Sequence, residues 1–265
     1  ARQLHQSAYA EGMESVVQRC GEKFTGIVNG IDTAVFDPAT DPELTAHFSA
    51  QRLRGKADCK KALQKELGLQ VQSDVPLLSV VSRLVGHKGI DLICESLDVV
   101  MQTGCQLVIL GSGDGQYEDF FRYAESRYKG RLCAYIGYNE ALAHRIYAGS
   151  DLFLMPSRSE PCGLSQMIAM RYGAVPIVRQ TGGLADTVRS CQLGQEDGNG
   201  FVFADYSAFD MQYVISQAVN LYRTDIHRFR QVQKRGMTDD FSWDASAGAY
   251  ESLYQHITGQ TRSTK

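Results

Sequence analysis

The sequence predicts an α/β fold, a mostly parallel sheet flanked by helices. Two observations carry this expectation. Short apolar runs alternate with amphipathic segments at a spacing of about 25–30 residues, the pattern of successive βαβ units. The runs are almost continuously apolar, as strands covered on both faces should be. At 265 residues the chain is long enough for one large α/β domain or two small ones.

Taken in order, residues 1–20 read as one short helical piece, and residues 24–28 as the first strand-like run. Residues 38–60 are polar and broken by Pro38 and Pro42, so they read as a loop or excursion. Strand-like runs follow at 75–82, 105–110, 132–136, 152–155, 175–178 and 200–203. Between them, residues 90–103 place apolar side chains at 90, 93, 94, 97, 100 and 101, a helical stripe. Residues 117–128 and 140–148 behave similarly, and 166–172 is helix-like. From residue 206 onward the pattern is helical: 206–222, 226–234 and about 244–257, the last capped by Ser242 or Asp244.

Composition removes several classes of function. A formal net charge of −3 gives no reason to expect nucleic acid or an anionic membrane as partner, so local basic groups must do any phosphate binding. No apolar stretch approaches the ~20 residues of a membrane span. The start, Ala-Arg-Gln-Leu-His-Gln, has neither an initiator Met nor an apolar signal region, and reads as a fragment or processed product. Seven scattered cysteines without a CxxC pair argue against a zinc knuckle and fit a reducing compartment. Cys94, Cys105 and Cys133 lie in apolar surroundings and read as small buried hydrophobes.

The chemistry gathers where strands end and helices begin. After the run at 152–155 comes Ser157-Arg158-Ser159-Glu160-Pro161-Cys162-Gly163-Leu164-Ser165, leading into a helix. A carboxylate, a thiol and a glycine at such a mouth suit a site that handles sugar and phosphate together. Ser82-Arg83-Leu84-Val85-Gly86-His87-Lys88-Gly89 places two cations at another such junction. They suit a diphosphate, or form a solvated basic turn. His87 reads as a loop residue with nothing nearby to orient it. Gly111-Ser112-Gly113-Asp114-Gly115 begins like a dinucleotide fingerprint, but Gln116 stands where the third glycine belongs. No acidic residue ends the next strand, which disfavours a nicotinamide or flavin enzyme and leaves a tight turn near the crevice. Thr181-Gly182-Gly183 opens a third junction, where backbone N–H groups approach a ligand or the glycines merely permit the turn. Tyr138 offers a flat face to a base, or is an ordinary surface tyrosine. Cys162 invites a nucleophile reading through the helix mouth, against which substrate lining is preferred. There is no Asp-x-Asp metal clamp, no HExxH and no GxxxxGK[ST].

Together these segments resemble the C-terminal half of bacterial and plant starch/glycogen synthases that use ADP-glucose. The match runs in order through Gly-Ile-Val-Asn-Gly-Ile-Asp at 26–32, Phe-Asp-Pro-Ala-Thr-Asp at 36–41, the Arg83 and Lys88 turn and the Gly111 turn. It continues through Ile-Gly-Tyr at 136–138, His-Arg-Ile-Tyr-Ala-Gly at 144–149, the stretch at 156–164, Arg-Gln-Thr-Gly-Gly-Leu-Ala-Asp-Thr at 179–187 and Asp-Phe-Ser-Trp-Asp at 240–244. The resemblance implies a GT-B architecture of two Rossmann-like domains with the donor nucleotide mainly on the C-terminal one. Ser-Ala-Tyr-Ala-Glu at 7–11 resembles the last motif of the family's N-terminal domain. Residues 1–20 are then the tail of that domain, 21–240 the donor domain, and 241–265 a crossover helix and tail. On this reading the Lys-x-Gly-Gly-Leu loop and most acceptor residues lie outside the chain, which alone should be inactive.

The resemblance also implies roles. Arg83 and Lys88 hold the ADP phosphates, and Glu160 meets donor-glucose hydroxyls or supports the oxocarbenium-like state. Cys162, Gly163, Leu164 and Ser165 line the glucose and phosphate pocket, together with Thr181, Gly182 and Gly183. Gly111 and Gly113 belong to the donor-binding set, and Tyr138 contacts adenine. The implied reaction is retaining transfer of glucose to the non-reducing end of an α-1,4-glucan, without metal or cofactor. The implied compartment is bacterial cytoplasm or plastid stroma. Two positions depart from relatives: Ile168 replaces a common second Glu, and Ser165 a common Thr. The alternatives are a nucleotide-binding module without activity and a GT-B relative using another nucleotide sugar.

Overall fold

The computed structural model describes residues 12–191 and 197–259. Six strands form one parallel sheet: β1 Leu77–Val81, β2 Gln106–Gly111, β3 Leu132–Ile136, β4 Leu152–Met155, β5 Val175–Arg179 and β6 Phe201–Phe203. Their order is β3-β2-β1-β4-β5-β6, so chain direction across the sheet reverses between β1 and β4. The helices are α1 Glu14–Cys20, α2 Arg54–Glu66, α3 Ile90–Gln102, α4 Gly115–Arg127 and α5 Glu140–Gly149. They continue with α6 Ser165–Arg171, α7 Gly182–Thr187, α8 Ala208–Thr224, α9 Ile226–Thr238 and α10 Trp243–Thr258. No helix among the described residues is long and apolar enough to cross a membrane.

The strands are continuously apolar because successive side chains feed two different cores. Leu78, Val80, Leu107, Ile109, Leu152, Leu154, Val175 and Ile177 pack against α3 and α8 residues such as Ile93, Leu97, Met211 and Ile215. On the other face Phe153, Met155 and Val178 meet Met167 and Met170 of α6, while Leu77, Val108 and Leu110 meet Leu63 of α2 and Ile146 of α5. Truncating a fully buried leucine at such a position costs about 2–5 kcal/mol.

Two sequence expectations need correction. Residues 24–28 are not a strand. That segment runs outside the sheet, and its continuation bonds the chain end: Ile31 N donates to Phe241 O at 2.8 Å, and Ser246 Oγ donates to Val28 O at 2.9 Å. Gly30 is needed there, since a Cβ would stand 2.4 Å from the Trp243 nitrogen. Residues 38–60 are not wholly loop, because α2 begins at Arg54. Its inner face carries Lys56, Lys60 and Gln64 beside Cys59 and Leu63, so no apolar stripe shows. Each lysine is satisfied in place. Lys56 Nζ donates to Ala148 O and Tyr172 O at 2.9 and 2.8 Å, and Lys60 Nζ pairs with Asp151 at 2.7 Å. Burial pushes Lys56 down to about 8.

The excursion before α2 is pinned by a buried polar cluster. Asp41 Oδ2 accepts from the Tyr172 hydroxyl and from His144 Nδ1, the latter at 2.7 Å, and Phe36 stacks on His144. Ser242 caps α10, its hydroxyl accepting from Ala245 N at 3.2 Å. The motif at 7–11 lies outside the described residues.

Candidate functional site

The strand order reverses between β1 and β4, and doubly wound sheets bind ligands at the carboxyl ends of the strands at such a point. Backbone hydrogen bonds lace the loops around it. Gly137 N donates to Gly111 O, Leu84 N to Ser112 O, Arg158 N to His87 O, and Gly183 N to Glu160 O, all at 2.9–3.0 Å. The glycines make this possible. A Cβ on Gly111 would lie 1.8 Å from Ser82 O, one on Gly113 2.2 Å from Leu84 O, and one on Gly183 2.0 Å from Cys162 O. Gly89, at φ +76°, would meet Pro156 O at 2.2 Å. Gly163 is left-handed too, with φ +72°. Gly111, Gly113 and Gly183 thus have a structural task, holding neighbouring loops in contact, whatever else they do.

This lacing joins residues that the sequence keeps far apart. Lys88 Nζ donates to Glu160 Oε2 at 2.5 Å, and Ser157 Oγ donates to the same oxygen at 3.3 Å. Glu160 is only 7% exposed. Arg83 is exposed on the same loop, its Nη2 lying 3.3 Å from His87 Nε2. His87 therefore has an orienting neighbour that the sequence reading missed. Thr181 is buried at the end of β5, and Gly182 begins α7 beside the Glu160 loop.

Cys162 does not have the environment of an activated thiol. Burial pushes its thiol up, outweighing the backbone hydrogen bond from Asn29 that favours the thiolate. The Asn29 contact also brings the 26–32 segment to the site. Leu164 is 45% exposed at the α6 mouth. Tyr138 stands apart, 84% exposed after β3, with its hydroxyl 3.2 Å from Glu140 Oε2. Among the described residues, no hydrogen bond or ring contact joins Tyr138 to the Lys88–Glu160 pair.

Two further residues shape the site: Arg179, which the sequence placed at the head of the third junction without a role of its own, and Tyr206. Arg179, buried at the end of β5, donates through Nε to Ser157 O at 2.9 Å and through Nη2 to Arg158 O. It clamps the loop that carries Glu160. Tyr206 packs under Arg158, 4.5 Å from its guanidinium to the ring, and donates to Asp91 Oδ1 at 2.5 Å. The available signal was a charged residue closing the apolar run at 175–178, since a buried arginine must find acceptors.

These features define a doubly wound α/β domain whose ligand edge holds a lysine–carboxylate pair and a free-facing arginine loop. Known proteins narrow the class. The family model for glycosyl transferases group 1 matches residues 65–233, and the chain belongs to that family. It is 45% identical over 249 residues to a glycogen synthase of Bacillus cereus (strain Q1), covering 94% of this chain and 52% of that protein. It is 47% identical over 255 residues to the glycogen synthase of Desulforudis audaxviator, covering 96% and 51% respectively. Among solved structures it matches the catalytic domain of starch synthase IV from Arabidopsis thaliana, bound to ADP and acarbose. That match has a TM-score of 0.90 and 39% identity over 98% of this chain and 54% of that one. The chain spans about half the length of the curated relatives it matches. It is homologous to their C-terminal half, and its sheet is that of the GT-B catalytic domain.

Proposed function

We propose that this domain binds ADP-glucose at the carboxyl ends of β1 and β4 and presents its glucose for retaining transfer to the non-reducing 4-OH of an α-1,4-glucan. The observation that carries the reading is the Lys88–Glu160 contact, a cation and a carboxylate joined at the reversal of strand order. The starch synthase with the same fold was solved with ADP bound. In the free domain Lys88 is held by Glu160. A diphosphate arriving beside Arg83 draws Lys88 to itself and frees the Glu160 carboxylate for glucose hydroxyls. The two cations then stabilise charge on the departing diphosphate, an effect worth roughly 10²–10³ in rate per group. Cys162, Gly163, Leu164, Ser165 and Thr181–Gly183 line the glucose and phosphate, and Tyr138 closes over adenine from its exposed position.

The acceptor's proton passes to the leaving phosphate in a front-face attack, with the loops excluding water. Arg83 and Lys88 fill the electrostatic role, so the proposed reaction uses no metal. Residues 21–240 form the donor domain, residues 1–20 the tail of an N-terminal domain, and 241–265 a crossover helix and tail. Glucan transfer then requires the residues aligned with the other half of the relatives.

A donor screen with ADP-, UDP- and GDP-glucose, run beside a glucan-elongation assay, tests the reading. The expected result is a preference for the adenine nucleotide and elongation only with the second half present. Elongation by this chain alone contradicts the half-site reading, and preference for UDP- or GDP-glucose contradicts the donor. A second reading, a nucleotide-binding module without activity, is supported if a reconstituted two-domain protein binds ADP but transfers nothing.

A further inference from the structure

A cavity of about 1160 Å³ lies at the other edge of the sheet, by the amino ends of β1 and β4. The five residues of β1, at ~3.3 Å each, separate the two edges by roughly 15 Å. Helices α2, α8 and α9 form its walls, and seven cationic side chains line it against three carboxylates. One of those carboxylates, Asp151, is already engaged: it pairs with Lys60 and accepts from Leu77 N at 2.9 Å. Lys56, also in the wall, is held by backbone carbonyls. These two lysines build the floor.

The rim is different. Arg54 and Lys61 of α2 and Arg230 and Lys234 of α9 all line the cavity. All four are exposed, and none of their side chains takes part in an ion pair or hydrogen bond among the described residues. The rim also holds the exposed carboxylates of Asp58 and Asp74, so positive charge is in excess there and not alone, and an excess of like charge around one hollow costs energy. Phe229, Ile226 and Val71 supply apolar walls. The chain as a whole is net negative, so this concentration of positive charge is local. Two guanidinium forks and two ammonium groups match a group with several phosphate oxygens, and the volume admits a small organic molecule bearing it.

We infer that this groove is a second anion site, distinct from the donor site, for a small phosphate-bearing molecule with at least two negative charges. Arg54 and Arg230 bind the phosphate oxygens through paired N–H groups, Lys61 and Lys234 as point charges, and the apolar wall takes the remaining body. Inorganic tripolyphosphate is the probe, titrated calorimetrically into the whole chain at fixed ionic strength, with and without saturating ADP. The expected result is one submillimolar site that survives ADP. The double variant Arg230→Gln/Lys234→Gln should weaken tripolyphosphate by about tenfold or more and ADP by less than about twofold. Lys88→Ala should leave tripolyphosphate affinity in the groove unchanged. Absence of any tripolyphosphate binding under saturating ADP, or equal affinity in the double variant under those conditions, overturns the inference. Both substituted side chains are exposed, and thermal unfolding of the variant checks that its fold is intact. If ADP fails to bind at all, the tripolyphosphate titrations still decide this site separately.

Discussion

Lys88 and Glu160 stand 72 residues apart in the chain and 2.5 Å apart in the fold. For the proposed transfer, assayed with the second half present, Glu160→Gln keeps the shape but removes the charge that holds Lys88, and should lower kcat strongly, by about 10² or more. Steady-state kinetics on the two-domain protein read this, and near-normal turnover sinks the role given to Glu160. Arg179 acts through the loop and not on the ligand. Arg179→Ala leaves the Ser157 and Arg158 carbonyls without their donor and should cost about 1–3 kcal/mol, read as a lower denaturation midpoint. Asp41 gives a pH signature. Burial alone would raise its pKa, but hydrogen bonds from Tyr172 and His144 outweigh burial and hold the carboxyl below its usual range. With a lowered folded-state pKa, its stabilisation is present above the unfolded value and is lost as pH falls through the folded one. The urea midpoints of wild type and Asp41→Asn should therefore differ at neutral pH and converge below about pH 4. A constant gap across that range removes Asp41 from the account.

At the scale of elements, the loops rather than the strands define the site, and glycine spacing holds them together. Gly111→Ala puts a Cβ where Ser82 O lies, so β1 and β2 loops must part, with an expected loss of more than about 2 kcal/mol by chemical denaturation. Helix α10 is weakly anchored beyond its first turn. Only Ser246 is buried on it, while Trp243, Tyr250, Tyr254 and Ile257 are exposed. Its amides should exchange with solvent faster than those of β1 and β4, and equal protection contradicts this. The strands after residue 75 were legible because each is a continuous apolar run. Helix α2 was not, because Lys56, Lys60 and Gln64 occupy its buried face. The run at 24–28 was misread because short apolar segments look alike whether they join a sheet or cross a surface. The charged and glycine-rich turns of the candidate site were visible as motifs at strand ends. The Arg179 clamp was not, because its meaning depends on carbonyls about twenty residues earlier.

The whole molecule is a glycosyl transferase group 1 domain with two chemically different edges. The carboxyl edge carries the Lys88–Glu160 pair, and the amino edge a basic groove over the Lys60–Asp151 pair. The sheet separates them, so a ligand at one edge leaves the other open. On the proposed function, the carboxyl edge binds the donor nucleotide through Lys88. Calorimetric titration of ADP into the chain and into its Lys88→Ala variant tests it most directly. One site is expected in the wild type, weakened by about tenfold or more in the variant. Equal affinity in the two proteins, or no ADP binding by the wild type, would contradict it.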